Sequence, residues 1–301
     1  MTVSAARLQD PGALARAVSG FVASHSAPGT RTNQIGRWYE NVCPLVTGLQ
    51  PAVQDVITRE ILDVARSVGA PTGAVGKKCP ITVEIVFTRE PQALLDRIAK
   101  AYKPLLGFYP ASQVKQMTTF SRPIQAWYET GTRAMDALPA ASHGNAVAIG
   151  LAAITEPPEQ LGGSIGDMPL LSGVQVDSDA TAMGVQPSGV AGSHLGRRGR
   201  SEFVHVLIIA DGEQLGGYSM DSLADYLALL SLTRMAQLDQ CAPLPSITDL
   251  LANGCATPVA DSLTVADRAY LKALYSADLE QNLNLERGDM HDQMRRQIEG
   301  K

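Results

Sequence analysis

Nowhere in the 301 residues is there an unbroken apolar run of about 18 or more, so no segment is long enough to span a bilayer as a helix. No block of Lys and Arg stands out either. The formal net charge is -5 and dispersed, which argues against nucleic acid as a partner. The five histidines, His25, His143, His194, His205 and His291, never share a helix at i and i+4, so the HExxH pattern of a zinc peptidase is missing. The four cysteines include no C-x-x-C pair of the kind that grips zinc. GAVGKK at 73–78 runs straight into Cys79, lacking both the first Gly of a phosphate loop and the Ser or Thr after its lysine, and no G-x-G-x-x-G follows a strand. These absences leave an expectation of no metal and no cofactor. The first 20 residues carry Arg7 and Arg16 in place of a clean apolar stretch, so no secretory signal is visible in them.

What is present is a globular composition, 45% apolar and 18% charged, long enough for one ordinary core. The expected organisation is a flexible leader over 1–35, holding one short helix from Pro11 to Ala23, then a single α+β domain over 36–301 with a loop-rich insertion at 131–200. Cys43 with Cys79 and Cys241 with Cys255 are the pairings that close modest loops, the second worth about 3 kcal/mol on the loop-entropy model. Two disulfides place the chain in an oxidising compartment, periplasm or medium, a signal having been removed and Met1 added. The competing reading is four reduced cysteines in a cytoplasmic protein.

Periodicity supplies the elements. Pro51 to Val68 has Val53, Val56, Ile57, Ile61 and Val64 at helical spacing, with Pro51 suited to the first turn and Gly69 to the cap. ITVEIVFT at Ile81–Thr88 reads as a buried strand, and a helix from Pro91 to about Tyr102 turns Leu94, Leu95 and Ile98 inward. A short helix is expected over 110–117. SRPIQAWYET at Ser121–Thr130 reads as a strand that Pro123 assigns to an edge or an early position, and another is expected at Gly173–Val176. The firmest stretch is FVHVLIIADGEQLGGYSMDSLADYLALLSL at Phe203–Leu232, a strand, a Gly turn, and a helix capped by Ser219 that runs to about Met235. Thr264 with Asp267 opens a further helix, and Asp289 to Ile298 a last one.

Few of these residues suggest chemistry. Asp221 and Asp225 have i, i+4 spacing, which suits a hard cation such as calcium; an acidic first turn favoured by the helix dipole is the simpler account. Gly162–Gly166 spells G-x-S-x-G around Ser164, but no strand precedes it and no helix follows, so the match reads as chance. His205 lies within a strand, close in sequence to the helix that carries Asp225 and Tyr226. Those four residues, His205, Asp221, Asp225 and Tyr226, are the candidates for a catalytic site. A cysteine nucleophile is disfavoured because each cysteine has a disulfide partner.

RWYENVCP at Arg37–Pro44, CPITVEIVFT at Cys79–Thr88, PIQAWYET at Pro123–Thr130 and the segments DSLADYLALLSL, CAPLPSITDLL and LTVADRAYLKALY resemble a family of uncharacterised exported proteins of Gram-negative, mainly alphaproteobacterial, origin. The order strand, Gly turn, helix, then LTVADRAYLKALY is also similar to zincin-like metallopeptidases, in which an S-x-x-D-x-x-x-L-x-x-L-Y element follows the metal helix. DSLAD stands where HExxH would be, so no zinc ligand or general base is carried over. The resemblance brings no activity with it; the expectation for the chain is a single zincin-like α+β domain, a small mixed sheet packed on several helices with two disulfides, acting as an exported pseudoenzyme that binds a protein or polymer partner. The alternative is a hydrolase whose site near His205 and Asp225 follows no motif.

Overall fold

Proline and glycine bracket the first long core helix. The computed structural model describes residues 10–29, 32–73, 79–107, 109–133, 199–255, 258–277 and 282–300. Within it a helix runs from Pro51 to Val68, with Pro51 in the first turn and Gly69 ending it at φ 84°, a left-handed conformation that costs glycine little. Its inward stripe is Ile57, Ile61, Val64, Ala65 and Val68.

Seven α-helices surround four strands among the described residues. The helices are α1 (Pro11–His25), α2 (Pro51–Val68), α3 (Pro91–Ala101), α4 (Val114–Met117), α5 (Met220–Leu232), α6 (Val265–Ser276) and α7 (Leu283–Glu299). The strands are β1 (Pro44–Thr47), β2 (Val83–Thr88), β3 (Ile124–Arg133) and β4 (Arg200–Asp211), in spatial order β1-β2-β4-β3. β1, β2 and β4 are parallel, and β3 runs antiparallel to β4 at the edge that Pro123 anticipates. The parallel β1–β2 pair requires a crossover, which α2 supplies.

The two faces of the sheet are covered unequally. Val83, Ile85 and Phe87 of β2 with Val206, Ile208 and Ala210 of β4 face the larger core, filled by α1, α2, α5, α6 and the methionines Met290 and Met294 of α7. Val86, Leu207, Ile209 and Trp127 face a smaller one under Leu94, Leu95 and Ile98 of α3 and Leu105 and Leu106 of the turn that follows. The segment read from sequence as a leader contributes to the larger core. α1 places Leu14, Val18, Phe21 and Val22 there, and Asp10 caps it by accepting the N–H groups of Gly12 and Ala13.

α5 is buried along Ser222–Leu232. Its C-terminal carbonyls are satisfied by aromatic donors rather than by a glycine cap. The Tyr128 hydroxyl reaches Leu230 O at 2.8 Å and Thr233 O at 2.9 Å, the Trp38 indole reaches Ser231 O at 2.7 Å, and the Tyr275 hydroxyl reaches Leu232 O at 2.9 Å. Aromatics make up 5% of the chain, and three of them converge on this one helix end.

Both expected disulfides are at bonding distance, with Cα separations of 5.8 Å for Cys43–Cys79 and 5.4 Å for Cys241–Cys255. The first ties together the entries of two adjacent parallel strands, since Pro44 pairs with Val83. Among the described residues no helix is long and apolar enough to cross a membrane. The expected strand at Gly173–Val176, the Ser164 motif, His143, His194 and most of the 131–200 insertion lie outside the described residues.

Candidate functional site

The four residues singled out by sequence do not form one site. Asp221, Asp225 and Tyr226 belong to α5, which packs on the larger core, whereas His205 shares the opposite face of the sheet with Leu207 and Ile209.

On α5 the polar groups hold the chain together. The Asp225 carboxylate accepts the N–H of Leu263 at 2.7 Å, and the Ser222 hydroxyl donates to Asp261 O at 2.7 Å, so the helix grips the segment leading into α6. Tyr226 is buried in the core, and Asp221 is exposed in the first turn. Beside Asp225 stands Glu60 of α2, which the sequence reading did not single out. Burial first, then the hydrogen bond to the Asp225 carboxyl and its charge, push the Glu60 carboxyl up to about 7, with Arg268 opposing and Asp63 adding to the rise. The Glu60 and Asp225 carboxyls are held side by side between two packed helices.

The motif that follows has a structural job residue by residue. Thr264 and Asp267 form a reciprocal capping box, Leu271 and Leu274 enter the core, and Tyr275 caps α5. Asp267 is fully buried, and its carboxylate also accepts the Ser246 hydroxyl at 2.6 Å and the Ile247 N–H at 2.9 Å. His25 lies 3.3 Å from the same Ser246 hydroxyl. A serine, a histidine and an aspartate thus meet, but all three are no more than 1% exposed, and burial lowers the His25 pKa to about 3, leaving a neutral ring unsuited to taking a proton. This cluster is a core polar network.

His205 belongs to a different group. Opposite Glu129 and Thr130 of β3, β4 bulges by one residue, Val204, so that Phe203 faces the larger core while His205, two residues on, faces the smaller. His205 pairs in register with Glu129 of β3 and lies diagonally from Glu84 of β2, whose partner is Leu207, which puts all three on one face. His205 Nε2 is 3.6 Å from Glu84 Oε2, with side-chain exposures of 6% and 1%. Neither ring nitrogen and neither Glu84 oxygen has a hydrogen-bond partner. Burial pushes the Glu129 carboxyl up, and the imidazole acts against that rise. Such a group costs folding free energy, and its chemistry is that of an imidazole between two carboxyls, able to hold or pass a proton. A lone Glu inside the apolar run ITVEIVFT was the available sequence signal for Glu84.

Among the described residues no group of three or more His, Cys, Asp or Glu side chains is arranged to hold a metal ion. Compared with protein-family models, with curated proteins and with solved structures, the chain matches none.

Proposed function

We propose that the chain is an exported, zincin-like protein of the periplasm or medium that binds a protein or polymer partner without catalysing a reaction. The observation that carries the reading is the use made of α5. Where the resemblance puts a metal helix, this helix has no histidine, and its Asp225 and Ser222 hold residues 261–263 in place. Side chains bound into the frame in this way are poorly suited to turnover. Two disulfides support the export half of the reading, because such bonds persist in oxidising compartments.

A hydrolase is the second reading, and one observation favours it, the buried imidazole of His205 between Glu84 and Glu129. In that reading Glu84, rather than Asp225, orients His205 as a general base. The near-complete burial of the pair weighs toward the binding reading. Assaying the purified chain against casein, fluorogenic peptides and simple esters separates the two. The binding reading expects no turnover above that of His205→Gln, whereas turnover abolished by that substitution selects the hydrolase.

A further inference from the structure

Beyond the outer edge of β3 lies a pocket that neither reading above uses. Its volume is about 160 Å³, close to the ~150 Å³ of a cavity that admits benzene, so it holds one ring or one short branched chain. Leu106, Met117, Trp127, Met235 and Leu238 give it apolar walls, and the Trp127 indole fixes Met117 by donating to its carbonyl at 2.8 Å.

Two arginines line the same pocket, and they differ in how their charges are balanced. Arg122 is paired with Asp239. Arg234 is partly buried, its guanidinium makes one long hydrogen bond, 3.4 Å to Pro28 O, and no described carboxylate pairs with it. Burial disfavours its charge, a cost that an anion beside it would relieve. Its backbone is anchored, because Arg234 O accepts the Ala27 N–H at 2.8 Å and Ser24 O accepts the N–H groups of Ala236 and Gln237. Tyr109 also lines the pocket, and its buried hydroxyl has no hydrogen-bond partner among the described residues. A forked cation, a spare hydroxyl and an apolar chamber are the elements of carboxylate recognition.

We propose that this pocket binds a carboxylate carried on a single ring or a short branched apolar body, with Arg234 taking the carboxylate and Tyr109 completing its hydrogen bonds. The pocket would take such a ligand whether or not the chain is catalytic. A free small acid and the C-terminal residue of a peptide share this chemistry.

The test uses the full chain and follows its tryptophan fluorescence, to which Trp127 in the site and Trp38 in the core both contribute, with chemical-shift mapping to place the ligand. Four probes are compared: 3-phenylpropionate, 3-phenylpropionamide, a pentapeptide ending in free phenylalanine, and the same peptide amidated. The acid is expected to bind at least about tenfold more tightly than its amide. Arg234→Gln is expected to erase that preference, and Arg234→Lys to restore part of it. Tighter binding of the free-ended peptide than of the small acid identifies a peptide end as the source, and the reverse order a free acid. Equal binding of acid and amide, no binding at millimolar concentration, or a preference unchanged in Arg234→Gln overturns the proposal. The acid–amide comparison on the unsubstituted chain decides the matter even if the variants do not fold.

Discussion

The Tyr275 hydroxyl donates to the Leu232 carbonyl across 2.9 Å and so fastens α6 to the last turn of α5. Removing the hydroxyl leaves a partly buried carbonyl without its donor. Tyr275→Phe is therefore expected to cost about 1–2 kcal/mol of unfolding free energy, measured by urea denaturation, with the helix content by circular dichroism unchanged.

Glu60 sets a pH dependence whose sign is opposite to that of an ordinary paired carboxylate. Its folded pKa of about 7 lies above its ordinary 4.5, so the folded state holds the proton more tightly. The stability this contributes is complete below pH 4.5 and is lost as pH rises through about 7. Glu60→Gln should be the more stable protein at pH 8, and the difference from the unsubstituted chain should vanish at low pH. Denaturant midpoints across that range check it, and a difference independent of pH contradicts it.

The buried pair of His205 and Glu84 is expected to be coupled. Either single substitution, His205→Phe or Glu84→Leu, leaves the other polar group buried without its neighbour and should cost roughly 1–3 kcal/mol. The double variant should cost clearly less than the sum, because an apolar pair of similar volume needs no hydrogen bonds. A double-mutant cycle by chemical denaturation measures the coupling, and strict additivity contradicts it.

The 14-residue separation of Cys241 and Cys255 makes its bridge worth about 3 kcal/mol on the loop-entropy model. Cys241→Ser with Cys255→Ser should lose that amount. The unreduced native protein should show no free thiol after denaturation, and four after reduction.

Much of the frame was legible because its signals are local. Ser219 and Thr264 cap the helices expected of them, Pro123 precedes an edge strand, Gly69 closes α2, and both cysteine pairs follow from loop length. α1 hides its core stripe of Leu14, Val18, Phe21 and Val22 among Gly, Ser and Ala, so the segment reads as a leader. β1, only four residues long, carries too little alternation to be read at all. The last helix is longer than expected, opening at Leu283 behind an Asn282 cap. The polar clusters were the least legible, because they are assembled by register and packing. His205 meets Glu84 and Glu129 only through strand pairing, and Asp225 meets Glu60 only where α2 crosses α5. Proximity in sequence pointed His205 toward Asp225, and the sheet lies between them.

On the proposed zincin-like reading, α5 takes the place of a metal helix, with its Asp225 and Ser222 holding residues 261–263. Elemental analysis of chain purified without chelators, after dialysis against zinc and then against metal-free buffer, tests it most directly. Well under one zinc per chain is the expected result, and one tightly retained zinc per chain overturns the proposed reading.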